Sequence, residues 1–182
     1  MRIISGKHKG RKILPPKGLP VRPTTDLCKE SLFNILQNHF YLHEVNVLDL
    51  FAGTGNMSYE FSSRGAIQVT AIEQDAKCIS YIKQTTTLLD LSIIAIKTDV
   101  FQFLEKSQVK YDIIFADPPY EMASAHFLGI IEKVFEKNML NDNGFLIIEH
   151  SKYTDLSEHP HLFEQRQYGG TIFSFFENNL LE

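Results

Sequence analysis

The sequence predicts an α/β fold: a mostly parallel, seven-stranded sheet that closes with an antiparallel hairpin at its C-terminal end, preceded by a small N-terminal β-hairpin extension. Three observations predict it. From Val45 onward, apolar strand-like runs alternate with helix-compatible stretches, the pattern of parallel strands covered by helices on both faces. The last two runs, 162–168 and 171–177, instead flank Gly169-Gly170 and read as a hairpin. The chain has 182 residues, 43% of them hydrophobic and 22% charged, enough for one well-buried core and too little for two of full size.

Taken in order, Arg2–Ser5 and Arg11–Leu14 read as two short strands joined through Gly6 to Gly10, a hairpin that needs support from the rest of the molecule. Pro15, Pro16, Gly18, Pro20 and Pro23 make an extended connector. Thr24, Thr25 and Asp26 offer N-caps for a helix reaching about His39, whose apolar set is Cys28, Leu32, Ile35 and Leu36. The strand runs then fall at 45–50, 67–72, 93–97, 111–116 and 144–149, with helices at about 57–64, 75–90, 100–107 and 123–138. The last helix puts Phe127, Ile131, Val134 and Phe135 on one face. Two units are expected: a basic hairpin and connector over 1–24, and the α/β domain over 25–182.

Composition excludes several classes. No apolar run approaches the roughly 20 residues needed to cross a bilayer, and Met1–Lys7 lacks the apolar stretch of a secretory signal. Cys28 and Cys78 stand 50 positions apart, which fits neither a disulfide framework nor a zinc cluster. A reducing cytoplasm is therefore expected, with no membrane and no metal. His39, His43, His126 and His150 show no metal spacing either, and His159-Pro160-His161 reads as a surface turn. The net charge of −4 is unevenly spread. Residues 1–25 hold seven basic side chains (Arg2, Lys7, Lys9, Arg11, Lys12, Lys17, Arg22) and no acidic one, leaving 11 basic and 22 acidic residues for the remainder. A basic arm on an acidic body is a footprint of phosphate contact; it also fits a merely solvated tail.

Four motifs carry chemistry. The first, Asp49-Leu50-Phe51-Ala52-Gly53-Thr54-Gly55, sets a Gly-x-Gly turn between the first strand of the alternating part and a helix. In open α/β sheets ligands bind outside the carboxyl ends of the strands, so this turn is where a cofactor belongs. Ser58 replaces the third glycine of the dinucleotide fingerprint and no Gly-Lys-Ser/Thr follows the strand, which removes the pyrophosphate and P-loop readings. A carboxylate at Asp49 suits a cationic ligand, one bearing an α-amino group and a sulfonium. The second motif is Glu73-Gln74, about 20 residues past the turn, placed to accept from ribose hydroxyls. The third is Asp99-Val100 after the third strand run, where Asp99 either accepts from an adenine amine or caps the next helix. The fourth, Asp117-Pro118-Pro119-Tyr120, ends the fourth strand run. Two prolines stiffen the exit and cannot continue a ladder. Asp117 and the Pro118 carbonyl can grip an exocyclic NH₂, and Tyr120 can stack on a base turned out of its helix.

The order Asp49…Gly53-Thr54-Gly55, Glu73, Asp99, Asp117-Pro118-Pro119-Tyr120 resembles class I S-adenosylmethionine-dependent methyltransferases that modify exocyclic amines, with their Rossmann-like sheet. Arg2-Ile3-Ile4-Ser5-Gly6, Gly10-Arg11-Lys12 and Arg22-Pro23-Thr24-Thr25-Asp26, followed by Glu30-Ser31-Leu32-Phe33-Asn34, are similar to the RsmD family, as is Tyr168-Gly169-Gly170-Thr171 in the last hairpin. Leu27 and Cys28 stand where members of that family usually carry basic residues. The resemblance implies methyl transfer from S-adenosylmethionine to the N2 amine of a guanine in 16S ribosomal RNA, free or in an assembling small subunit, by a monomer without metal. It implies a donor site of Asp49, Phe51, Ala52, Gly53, Thr54, Gly55, Glu73, Gln74, Asp99 and Val100, and a catalytic loop of Asp117, Pro118, Pro119 and Tyr120. Arg2, Lys7, Lys9, Arg11, Lys12, Arg22, Thr24 and Thr25 would contact RNA through phosphates and shape, with His8 a further candidate. Two rivals stay open: an adenine-N6 methyltransferase acting on DNA or RNA, and an RNA-binding module with a vestigial cofactor pocket. About 25 N-terminal residues leave no room for the target-recognition domain that DNA methyltransferases usually need.

Overall fold

The computed structural model describes residues 1–15, 18, 25–119 and 121–178, so most of the expected proline-rich connector lies outside the described residues. Its order is α1 (Asp26–Leu36), a short 3₁₀ turn (Leu42–Glu44), β1 (Asn46–Leu50), α2 (Asn56–Ser63), β2 (Gln68–Glu73), α3 (Ala76–Leu89), β3 (Ile93–Lys97), α4 (Val100–Lys106), β4 (Tyr111–Ala116), α5 (Ser124–Glu136), β5 (Leu140–Ser151), β6 (Leu162–Tyr168) and β7 (Thr171–Phe176). The seven strands run β3-β2-β1-β4-β5-β7-β6 across one sheet. β1 to β5 are parallel, and β7 enters antiparallel between β5 and β6. The chain builds outward from β1 to β3, then returns to set β4 on the other side of β1. That reversal opens a crevice beyond the carboxyl ends of β1 and β4.

Alternation along each strand decides what each face buries. Leu48, Leu50, Ile114 and Ala116 pack with Val100, Leu104, Phe127, Ile130 and Ile131 from α4 and α5. Val47, Ile113, Phe115 and Ile147 face the other way, toward Leu32, Phe33 and Leu36 of α1 and Met57 and Phe61 of α2. Asp49, two residues past Val47, falls on that second face by the same period. The expected element boundaries agree with these to within two residues for most elements. Two run differently. α1 ends at Leu36, where its apolar periodicity stops, and the amides of His39 and Phe40 fold back onto the Leu36 carbonyl. β5 begins four residues early, because Leu140 pairs with Tyr111 ahead of an irregularity in the ladder.

The N-terminal extension differs more. Instead of two paired strands there is one antiparallel bridge, Arg2 to Lys12, with the Ile3 amide on the Arg11 carbonyl and the Ile13 amide on that of Met1. The reason lies in α2. The amides of Ile4 and Ser5 donate to the two oxygens of Glu60 (2.8 and 3.0 Å), so they are not spent on a partner strand. Gly6, at φ +83°, lies so close to the Ser63 carbonyl that an added Cβ would stand 1.8 Å from it. Glu60 is fully buried and takes two cations, Arg64 at 2.7 Å and Lys29 of α1 at 3.4 Å. Lys29, 1% exposed, also donates to the Arg2 carbonyl (2.5 Å) and to Asn56 Oδ1 (3.1 Å). Burial pulls its ammonium below the usual lysine range, and the Glu60 carboxylate pulls the other way.

Removing Lys29 strips Glu60 of one of its two cations while Arg64 and the Ile4 and Ser5 amides remain, a loss at the lower end of what breaking a buried ion pair costs, about 3 kcal/mol. Lys29→Met is therefore expected to lower the melting temperature by roughly 6–12 °C for a chain of this size. Glu60→Gln, which leaves both buried cations without their carboxylate, should cost more, and hydrogen exchange should show the Ile4 and Ser5 amides losing protection in Glu60→Ala before the sheet amides do.

Candidate active site

The crevice at the strand ends holds a cavity of about 1170 Å³. β1 brings Asp49, and the turn after it brings Phe51, Ala52, Gly53 and Thr54; β2 ends in Glu73 and Gln74; the β3 exit gives Thr98, Asp99 and Val100; the β4 exit gives Asp117, Pro118 and Pro119. The glycine turn and the Pro-Pro corner thus face one space. Gly55 does not line it. At φ +85° Gly55 closes the turn behind, and a Cβ there would meet the Tyr59 ring at 2.7 Å. Thr25, the N-cap of α1, reaches the cavity, whereas Arg2, Lys7, Lys9, Arg11 and Lys12 lie outside it on the N-terminal segment. Arg22, Thr24 and Tyr120 fall outside the described residues.

The turn is held by hydrogen bonds to strand ends. The Ala52 amide donates to the Ile72 carbonyl (2.9 Å), and the Gly53 amide to Glu73 Oε2 (2.9 Å). Glu73 Oε1 accepts from the Asp75 amide (2.8 Å), so both oxygens are anchored by backbone while each keeps acceptor capacity. Phe51 takes φ +63°, an unusual backbone for a non-glycine residue. Asp99 caps α4, accepting from the Gln102 amide with Oδ1 (3.1 Å), and still lines the cavity. The two roles open to Asp99 are therefore compatible.

Sequence reasoning missed several lining residues, among them Cys78, Phe101, Glu121, Met122, Glu149 and Thr171. Burial, then the Glu73 charge, pushes the Cys78 thiol up to about 12, so it packs rather than reacts. Glu149 had a legible signal: it closes an apolar strand run with a carboxylate, as Glu73 and Asp117 do. Among the described residues, no group of His, Cys, Asp and Glu could hold a metal ion, and no helix is long and apolar enough to cross a membrane.

The family model described as conserved hypothetical protein 95 matches residues 1–177. The chain is 35% identical over 156 residues to the ribosomal RNA small subunit methyltransferase D of Escherichia coli K12, covering 85% of this chain and 74% of the relative. The protein of the same name from Haemophilus influenzae is 31% identical over 185 residues, covering 98% and 94%. Among solved structures, a hypothetical protein of Thermus thermophilus superposes with a TM-score of 0.84 at 25% identity, over 97% of this chain and 99% of its own.

Asp49 is held under electrostatic tension. It is 2% exposed and accepts from Ser58 Oγ of α2 at 2.5 Å. Burial lifts its carboxyl to about 7, the Ser58 hydrogen bonds oppose that, and Glu73 adds to it. The sign of the consequence follows from linkage. The unfolded chain releases this proton near 3.8, while the folded one holds it to about 7. Stability of the ligand-free protein thus falls as pH climbs through that window and levels off above it. Asp49→Asn, a neutral isostere, is expected to stabilise the ligand-free protein at pH 8 by roughly 2–4 kcal/mol and to flatten that part of the profile; urea titrations at several pH values measure both.

Proposed function

The chain belongs to the family described as conserved hypothetical protein 95, and from that premise we propose that it transfers a methyl group from S-adenosylmethionine to the exocyclic N2 amine of a guanine in small-subunit (16S) ribosomal RNA. The names of its relatives supply the ribosomal RNA substrate and the methyl-transfer chemistry. One observation carries the reading to residues: a single cavity is lined both by the glycine turn with its carboxylates and by Asp117-Pro118-Pro119. Ribosomal RNA as substrate supports a cytoplasmic location.

When bound, S-adenosylmethionine supplies a methyl group on a cationic sulfur, already activated as a leaving group. Asp49, buried beneath the turn, offers the negative charge that a cationic donor neutralises. Glu73, fixed by the Gly53 and Asp75 amides, accepts from the ribose hydroxyls, and Asp99 accepts from the adenine amine with the oxygen that does not cap α4. On the other side of the cavity, Asp117 and the Pro118 carbonyl accept the N–H groups of the guanine amine, turning its delocalised lone pair toward the methyl carbon. The amine, made acidic by alkylation, would pass its proton to the Asp117 carboxylate. Tyr120, outside the described residues, would stack on the face of the base. Positioning and preorganised charge suffice, with no covalent enzyme intermediate.

The basic segment lies on α2 with its cations outward. Arg2 pairs with Asp26 and Lys7 with Asp90, all four exposed; such pairs contribute little and exchange readily for phosphates.

Asp117→Ala is expected to abolish methyl transfer and leave S-adenosylmethionine affinity within about twofold, as read by calorimetry beside a radiolabelled-methyl assay. Mapping methylated bases in ribosomal RNA from cells with and without the protein tests the target: loss of one N2-methylguanine supports the reading, and loss of an N6-methyladenine, or of no base, rejects it. Neutralising Arg11 and Lys12 together should weaken RNA binding and reduce the slope of log affinity against log salt by roughly 1.5, measured by filter binding across salt concentrations.

A further inference from the structure

Asp117 with the Pro118 carbonyl can hold an exocyclic NH₂ on guanine or adenine alike, so this corner sets the class of nucleophile without choosing the base. The choice needs a second contact at the adjacent ring nitrogen. In guanine that nitrogen, N1, carries a hydrogen; in adenine it carries a lone pair. A fixed acceptor beside Asp117 would accept guanine and repel adenine.

The sheet register supplies such an acceptor. Ala116 of β4 pairs with Ile148 of β5, the last pair of that ladder, so Asp117 and Glu149 each follow directly on strands about 4.8 Å apart. By strand alternation both continue the face of Phe115 and Ile147. Glu149 is 5% exposed and lines the same cavity as Asp117, beside Phe115, Thr25 and Thr171. It stands at the β4–β5 end, whereas Asp49, Glu73 and Asp99 belong to the β1–β3 end. The donor-binding reading does not use this carboxylate.

We propose that Glu149 is a specificity-determining residue, accepting the N1–H of the target guanine while Asp117 and Pro118 accept from its N2 amine. The inference rests on the proposed guanine-N2 chemistry and adds the group that selects guanine. Two acceptors on neighbouring strands meet two adjacent donors on one base edge. A base with a lone pair at N1 sets that lone pair against the carboxylate oxygens, two acceptors with no hydrogen between them.

The test uses the full chain and 16S ribosomal RNA ligated to carry either guanine or 2-aminopurine at the mapped target position. 2-Aminopurine keeps the N2 amine and presents a lone pair at N1. Single-turnover methylation by the wild type should favour guanine by on the order of 100-fold or more. Glu149→Gln, whose amide can present either an oxygen or an NH₂, should compress that preference to about tenfold or less, with S-adenosylmethionine affinity unchanged. Equal slowing on both bases, with the preference intact, would show a structural role and overturn the assignment. A wild type that methylates the two bases equally overturns it without any variant, so misfolding of Glu149→Gln cannot shelter it. Failure of the wild type to methylate guanine at all would instead sink the proposed function.

Discussion

The Glu60 carboxylate, without exposure to solvent, has an ammonium, a guanidinium and two backbone N–H groups directed at it. Left unpaired, a buried charge of this kind would be among the costliest features a fold could carry. Its partners come from three places: Lys29 from α1, Arg64 from the end of α2, and the amides of Ile4 and Ser5 from the N-terminal segment. Satisfying one charge therefore fixes three pieces of chain relative to each other. The same eight-residue helix that carries Glu60 also sends Ser58 to Asp49, backs Gly55 with the Tyr59 ring, and gives Asn56 to Lys29. The turn, the buried carboxyl beneath it and the basic segment are registered against a single element.

The cavity is built against its own electrostatics. Asp49, Glu73, Asp99 and Asp117 stand at the tips of four neighbouring strands, and the chain outside its first 25 residues is strongly acidic. Backbone amides absorb part of that charge at Glu73 and Asp99. Asp49 leans on Ser58, and its raised proton affinity reports the shortfall. On the proposed reading, a cationic ligand would relieve that tension, so binding energy and specificity for positive charge would come from the same unfavourable burial. Phosphate-rich ligands would aggravate it.

Most of this architecture is legible in the sequence because parallel strands buried on both faces read as plain apolar runs, and the carboxylates that end them stand out against Val, Ile and Leu. Where the chain departs from that simplicity, legibility ends. Asn141, Asp142 and Asn143 give β5 a polar start, which hides four residues of strand. Two short runs joined through Gly6 to Gly10 suggest a hairpin, but the Ile4 and Ser5 amides are claimed by Glu60, a partner 56 and 55 positions away that no local pattern announces. Lys29 is subtler. A lysine on an amphipathic helix reads as solvated, yet Lys29, Phe33 and Leu36 follow 4 and 3 spacing, and Phe33 and Leu36 are fully buried. The periodicity places Lys29 inside; the residue type argues against it. Glu149 shares the strand-end signature of Glu73 and Asp117 but lacks both the spacing from the glycine turn that marks Glu73 and the prolines that mark Asp117.

Anchoring and exchange are separated within the basic segment, sometimes within one residue. The Arg2 carbonyl accepts from buried Lys29, while its guanidinium reaches Asp26 in a pair open to water. The Lys7 amide donates to the Ser63 carbonyl, while its ammonium meets exposed Asp90. The backbone is thus bound through groups shielded from salt, and the cations through pairs that salt and phosphates can displace. Had the cations themselves held the segment in place, engaging a polyanion would have released it from α2. Because the main chain does that work, the cations can leave Asp26 and Asp90 for phosphates without moving the turn that α2 supports. On the proposed reading, an RNA strand drawn in by the exposed charges would meet a cavity whose supporting turn the main-chain contacts hold in place.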